Sequence, residues 1–87
     1  MNRILIVEDE EAIANLIKMN LSNAGYACDI AYDGQDGADK MQTGNYDLCL
    51  LDIMLPQING YELLEYAKSL ELPVIFLTAK DDINSKI

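Results

Sequence analysis

The sequence contains no histidine, and its 6 Lys and Arg residues are outnumbered by 15 Asp and Glu residues, for a formal net charge of -9. Without histidine, the residues present cannot supply a histidine base or a His-ligated zinc site. Nucleic acids and anionic membranes need Lys and Arg to neutralise their phosphates. We therefore expect neither to be a direct partner of this chain.

Long apolar runs are also missing. None approaches the roughly 20 residues of a membrane span, and acidic residues follow Val7 too early for a secretory signal. The two cysteines, Cys28 and Cys49, lie in apolar stretches without CxxC spacing, which favours buried reduced thiols over a disulfide or metal site. We expect a single small domain, because 87 residues can bury only a modest core. Since a membrane span and a secretory signal are not found, we expect it to be soluble and cytoplasmic.

Four short apolar runs recur along the chain: Ile4–Val7, Ala27–Ala31, Leu48–Leu51 and Val74–Leu77. Three of them are apolar throughout, which is typical of strands covered on both faces of a parallel sheet. Only the second run is interrupted, at Asp29, so we predict that it lies at an edge of the sheet.

Segments with helical spacing separate these runs. The first predicted helix carries acids in its opening turn and should end at Gly25. The second spans about Gly34 to Thr43, and its glycines lower its helix propensity. The third predicted helix begins after Asn59, which should act as its N-cap. A fourth begins near Asp81 and reaches only Ile87. The predicted buried residues are Ile13, Leu16, Ile17, Leu21 and Ala24, then Ala38 and Met41, then Leu63, Leu64 and Ala67.

This alternation predicts right-handed βαβ crossovers and a parallel sheet with helices on both faces. Polar residues follow the apolar strands: Glu8 and Asp9 after the first, Asp52 after the third and Thr78 after the fourth. In a sheet of order 2-1-3-4, the three acids converge where the strand order reverses, which is where ligands bind in such folds. Their mutual repulsion requires a cation, and hard oxygen ligands at a partly open site suit Mg²⁺. A carboxylate beside such a cation can attack phosphorus.

These residues carry a resemblance to the receiver domain of two-component response regulators, closest to the OmpR/PhoB type. The matching pieces are Ile4–Glu10, Asp52–Pro56 followed by Gly60, and Leu77–Lys80. The resemblance implies a flavodoxin-like (CheY-like), doubly wound α/β fold. It covers residues 1–87, which correspond to about the first two-thirds of a usual receiver, with four strand-helix units and an incomplete last helix.

The resemblance also implies a site. Asp52 would be the nucleophile that accepts a phosphoryl group from a sensor histidine kinase or a small phosphodonor. Asp9 and Asp52 would bind Mg²⁺ together with the Met54 backbone carbonyl, and Glu8 would act mainly through water. The remaining expected roles are a switch hydroxyl at Thr78, a small residue admitting phosphate at Ala79, and loop-shaping residues at Pro56 and Gly60.

The chain departs from the family pattern at its end. A receiver normally continues through a fifth strand that ends in a phosphoryl-binding lysine, and then through a last helix. Lys80 is not that lysine, because it stands two residues after Thr78. The DNA-binding domain of an OmpR-like regulator is not among these residues either.

The principal prediction is therefore a phosphorylation-controlled signalling switch, not a metabolic enzyme, whose output is transcription regulation. One alternative is a truncated, non-switching docking module that self-associates or swaps strands through the exposed edge of its fourth strand. A second is a Mg²⁺-dependent phosphatase with an aspartyl-phosphate. Phosphatases of that kind place another acid two residues after the nucleophile, where this chain has Met54.

Overall fold

The computed structural model describes residues 2–52 and 60–77. The elements in chain order are β1 (Arg3–Val7), α1 (Glu11–Asn23), β2 (Ala27–Ala31), α2 (Gly34–Thr43), β3 (Leu48–Asp52), α3 (Gly60–Ser69) and β4 (Val74–Leu77). All four predicted strands and the first three predicted helices are therefore present. The predicted cap Asn59 and the predicted fourth helix lie outside the described residues.

The four strands form one parallel sheet in the order β2-β1-β3-β4. Strand β1 lies inside the sheet, where Ile4 is paired with Cys28 of β2 on one side and with Leu48 of β3 on the other. The predicted order is confirmed, as is the edge position of β2. The order reverses between β1 and β3, so their carboxyl ends define the crevice expected of a doubly wound sheet.

Alternate residues of β1 and β3 pack on opposite faces of the sheet. Leu5, Val7, Cys49 and Leu51 are fully buried on the face covered by α2 and α3. On the other face, Ile4 and Ile6 pack with Ala14 of α1, and Cys28 lies beside them. Both cysteines are free and buried, as predicted.

Helix α1 faces the sheet through a different stripe from the predicted one. Ala14 is fully buried, with Ile17 and Leu21 packed beside it, whereas Leu16 is 54% exposed and Ala24 is exposed. At about 100° per residue, Leu16 lies on nearly the opposite side of the helix from Ala14. The prediction for Leu16 and Ala24 was wrong. The side of α1 that packs against the sheet is centred on the small Ala14, and Leu16 and Ala24 are exposed.

The glycines of α2 take part in its packing. Gly34, Gly37 and Met41 are the buried residues of this helix. A β-carbon added at Gly37 would lie 3.1 Å from a methyl group of Val7, so the helix backbone comes close to the end of β1. In α3, Leu63 and Ala67 are buried and Leu64 is partly buried, as predicted.

Strand β4 is less covered than its apolar sequence predicts. Ile75 is 54% exposed and Phe76 is 36% exposed, and β4 pairs only with β3 in the described part of the sheet. Within residues 2–52 and 60–77, no helix has both the length and the apolar character needed to cross a membrane.

Candidate metal centre

Parallel pairing places three carboxylates at the same end of the sheet. Val7 of β1 is in register with Leu51 of β3, so Glu8 and Asp9 leave β1 beside Asp52, the last residue of β3. One carboxylate oxygen from each of Glu8, Asp9 and Asp52 lies within 4.8 Å of the others. The acids predicted to converge are thus brought together where the strand order reverses.

Glu8 is held on two sides. Its backbone N–H donates to the carbonyl oxygen of Ala31 in β2 at 3.0 Å. Its side-chain Oε2 accepts a hydrogen bond from the backbone N–H of Glu10, also at 3.0 Å. With only 6% of the residue exposed, Glu8 is a fixed, buried acid at the inner side of the site.

The pKa of the Glu8 carboxyl is raised to about 7: burial is the largest cause, the neighbouring Asp9 and Asp52 carboxylates add to it, and the Glu10 N–H acts in the lowering direction. Each of these raising effects reflects the cost of placing negative charge here without a counter-charge. Asp52 is itself only 9% exposed. The cluster therefore has the electrostatic character of a cation site.

The donor set fits Mg²⁺. All three side chains offer hard carboxylate oxygens, and Asp9 is exposed while Glu8 and Asp52 are nearly buried. Mg²⁺ is usually bound through one or two carboxylates and keeps several waters and a phosphate oxygen. A cluster with one open side can accommodate those further ligands.

Several predicted site residues lie outside the described residues: Met54, Pro56, Thr78 and Ala79. Gly60 is the first residue of α3. Its loop-shaping role stays a prediction, because residues 53–59 are also outside the described ranges. The structure therefore describes the acidic half of the predicted site.

The backbone groups that position Glu8 could not be identified from the sequence. The Ala31 carbonyl comes from a strand 23 residues away in the sequence, and the Glu10 N–H belongs to the main chain. Neither group depends on the identity of its side chain. Only the register of β1 against β2 could have placed Ala31 beside Glu8.

Comparison with known proteins identifies similar sequences. Residues 4–87 match the response regulator receiver domain. The chain is 48% identical over 87 residues to the transcriptional regulatory protein DltR of Streptococcus agalactiae, covering 98% of this chain and 39% of DltR. It is 44% identical over 88 residues to the response regulator ArlR of Staphylococcus aureus, covering 100% of this chain and 40% of ArlR. The chain thus spans about two-fifths of the length of these curated relatives.

Solved structures show the same fold. The response regulator TrrA of Thermotoga maritima, in complex with Mg²⁺ and BeF, superposes with a TM-score of 0.86 at 40% identity, covering 100% of this chain and 77% of TrrA. TrrA in complex with the histidine kinase ThkA gives a TM-score of 0.82 at 43% identity, covering 91% of this chain and 70% of that chain.

Proposed function

The chain belongs to the response regulator receiver domain family, and on that premise we propose that Asp52 accepts a phosphoryl group from a sensor histidine kinase and thereby controls an output. The observation that carries this proposal is the convergence of the Glu8, Asp9 and Asp52 carboxylates at the carboxyl ends of β1 and β3. We propose further that the output is transcription and that the regulator is of the OmpR/PhoB type. The similarity to the transcriptional regulatory protein DltR supports this part of the proposal.

In the proposed reaction, a carboxylate oxygen of Asp52 attacks the phosphorus atom of a phosphohistidine. A new O–P bond forms, the P–N bond breaks, and its electron pair leaves with the imidazole of the kinase. Asp9 and Asp52 would hold Mg²⁺ directly, with Glu8 acting mainly through water. When bound, Mg²⁺ supplies positive charge beside the phosphoryl oxygens.

The remaining predicted roles complete this proposal. The Met54 carbonyl would be a further metal ligand, and Pro56 and Gly60 would shape the loop after Asp52. Thr78 would move toward the phosphoryl group, and Ala79 would leave room for it. The added charge of the phosphoryl group draws in the hydroxyl and biases the segment that follows. The result is a signalling switch, with no metabolic substrate.

A sensor histidine kinase is the proposed partner, and the complex of the similar protein TrrA with the kinase ThkA supports this choice. The described surface offers little to DNA, because the whole chain carries a net charge of -9. We therefore propose that these residues do not bind DNA directly. A cytoplasmic location is included because transcriptional regulators act where the DNA is.

Intact-mass spectrometry tests the proposal. The purified chain is incubated with acetyl phosphate and Mg²⁺, beside Asp52→Asn and a sample treated with EDTA. We expect a gain of about 80 Da, corresponding to one phosphoryl group, that is lost on base treatment. The gain should be absent in Asp52→Asn and strongly reduced by EDTA.

The matched control is Asp47→Asn, which removes an exposed aspartate five residues before Asp52 and should leave the mass gain unchanged. An unmodified wild-type chain, or equal modification of Asp52→Asn, would contradict the proposal. In the first case the alternative of a non-switching docking or strand-swapped module would gain weight, although the regulators to which the chain is similar do not favour it.

Self-association through the edge of β4 is a second, separate proposal. It is supported by Ile75, which is 54% exposed on a strand that pairs only with β3 among the described strands. Apolar edge strands can pair with another chain.

A further inference from the structure

Glu8 connects the acidic cluster to the start of α1. Its Oε2 accepts a hydrogen bond from the Glu10 N–H, and the Glu10 carbonyl accepts the Ala14 N–H at 3.0 Å, the first intrahelical hydrogen bond of α1. Only the Cα atom of Glu10 separates the two peptide groups that make these interactions. A displacement of the Glu8 carboxylate therefore changes the position of Glu10, the residue at which α1 begins.

The arrangement differs from the usual way in which a helix start is stabilised. In a capping box, a Glu inside the helix reaches back to the N–H of the N-cap residue. Here Glu10 is the N-cap residue and has an extended backbone conformation. Its N–H is bound by a side chain that precedes the helix, at the end of β1.

The Glu8 backbone does not move independently of the sheet. Its N–H is bonded to Ala31 of β2, and Val7 before it is fully buried against α2. The backbone is thus fixed by two neighbouring elements, while one carboxylate oxygen is fixed by the Glu10 N–H. The Glu8 carboxylate also contacts the Asp9 side chain, and its two oxygens together offer further lone pairs for a cation or a cation-bound water.

We propose that Glu8 is a positioning residue with two simultaneous roles: one oxygen anchors the first turn of α1 through the Glu10 N–H, and the other faces the cation site. The inference rests on the proposed function in taking this cluster as a cation site. Its consequence is coupling, because a cation that immobilises the Glu8 carboxylate also stabilises its hydrogen bond to Glu10. By reciprocity, loss of that hydrogen bond weakens cation binding.

Two substitutions separate charge from hydrogen bonding. Glu8→Gln removes the charge but keeps an oxygen that can accept the Glu10 N–H, whereas Glu8→Ala removes both. The matched control is Glu11→Gln, which removes an exposed acid from the first turn of α1 and leaves Glu8 unchanged. Circular dichroism checks that each variant is folded.

The readout is the solvent-exchange rate of the Glu10 amide proton, measured by NMR on the ¹⁵N-labelled chain with and without Mg²⁺. Without Mg²⁺, we expect exchange in Glu8→Ala to be about fivefold faster than in wild type, corresponding to the loss of one ordinary hydrogen bond. Exchange in Glu8→Gln and Glu11→Gln should stay within about twofold of wild type. Added Mg²⁺ should slow the exchange in wild type and not in Glu8→Ala.

Titration of the same samples with Mg²⁺ gives the affinities. Wild type should bind most tightly, Glu8→Gln more weakly and Glu8→Ala most weakly, because only the last variant loses the positioning hydrogen bond as well as the charge. Unchanged exchange in Glu8→Ala, or equal losses in the two Glu8 variants, would overturn the inference. Failure of the proposed function is distinguishable, because it appears as a missing mass gain on wild-type Asp52 whatever the Glu10 amide does.

Discussion

At the scale of single residues, the polar side chain inside β2 is the most informative. Asp29 lies in mid-strand, and its Oδ2 accepts hydrogen bonds from the Tyr46 hydroxyl at 2.8 Å and from the Arg3 guanidinium at 3.0 Å. The guanidinium carbon of Arg3 also lies 4.9 Å from the centre of the Tyr46 ring. These three residues connect β1, β2 and the segment before β3, so Asp29 marks the edge strand and also joins it to its neighbours.

This cluster makes stability dependent on pH. The Tyr46 hydroxyl, followed by Arg3, holds the pKa of Asp29 below its ordinary value. A carboxyl with a lowered folded-state pKa adds stability above its unfolded pKa of about 3.9, and that stability is lost as the pH falls through the folded-state value. The gain is small because the Asp29 side chain is 44% exposed.

We predict that Tyr46→Phe lowers the free energy of unfolding by about 1 kcal/mol at pH 7, and by less at pH 3, which lies below the unfolded-state pKa of an aspartate, about 3.9. Urea denaturation at both pH values measures the difference. Tyr26→Phe removes the hydroxyl of an exposed tyrosine elsewhere and serves as the control. A loss for Tyr46→Phe that is the same at pH 3 and pH 7 would show that the charge of Asp29 plays no part.

At the scale of secondary-structure elements, α2 depends more on its first turn and its packing than on its intrinsic propensity. The helix begins at Gly34 and contains Gly37, and a glycine in a helix interior, as at Gly37, costs about 1 kcal/mol relative to alanine. Interactions in the first turn offset this low helix propensity. At the N-cap, the Asp33 side chain accepts a hydrogen bond from the Asp36 N–H at 2.7 Å. A surface ion pair between Asp36 and Lys40 follows one turn later.

We predict that Asp33→Ala lowers the free energy of unfolding by about 1 kcal/mol, the usual cost of losing an N-cap side chain. Asp33→Asn keeps an acceptor oxygen at the same position and should lose at most a few tenths of that amount. Thermal and urea denaturation of the two variants provide the comparison. Equal destabilisation by both substitutions would assign the effect to charge near the helix N-terminus instead of to the capping hydrogen bond.

The elements also show what the sequence can and cannot predict. Period and polarity located β1, β3 and the acids that follow them, because parallel strands end at the same edge whatever the details of packing. The predicted buried face of α1 was wrong. Leu16 fits an apolar stripe at helical spacing, but in the structure Ala14, on nearly the opposite side of the helix, faces the sheet and Leu16 is exposed. Contacts such as Tyr46 with Asp29 join residues 17 positions apart and require the strand register, which the sequence alone does not supply.

At the scale of the whole molecule, the two edge strands of the sheet formed by residues 2–52 and 60–77 differ in their side chains. Strand β2 carries Asp29, whose side chain is engaged by Arg3 and Tyr46. Strand β4 has the sequence Val74–Leu77 without a charge or a proline. Edge strands of proteins are usually blunted by such residues, and an apolar edge without them readily pairs with another strand. The net charge of -9 acts in the opposite direction, because two copies of the chain repel each other.

These opposing effects predict that the 87-residue chain self-associates in a salt-dependent way. Sedimentation velocity should show a monomer at low ionic strength and a larger species as protein concentration and salt increase, because added salt screens the repulsion between copies. Ile75→Thr removes part of the apolar edge while keeping a β-branched side chain, so it should reduce association. Leu16→Thr removes an equally exposed apolar side chain from α1 and should not, since both Leu16 and Ile75 are 54% exposed. If the two variants reduced association equally, exposed apolar surface in general would be the cause, and β4 would have no special role.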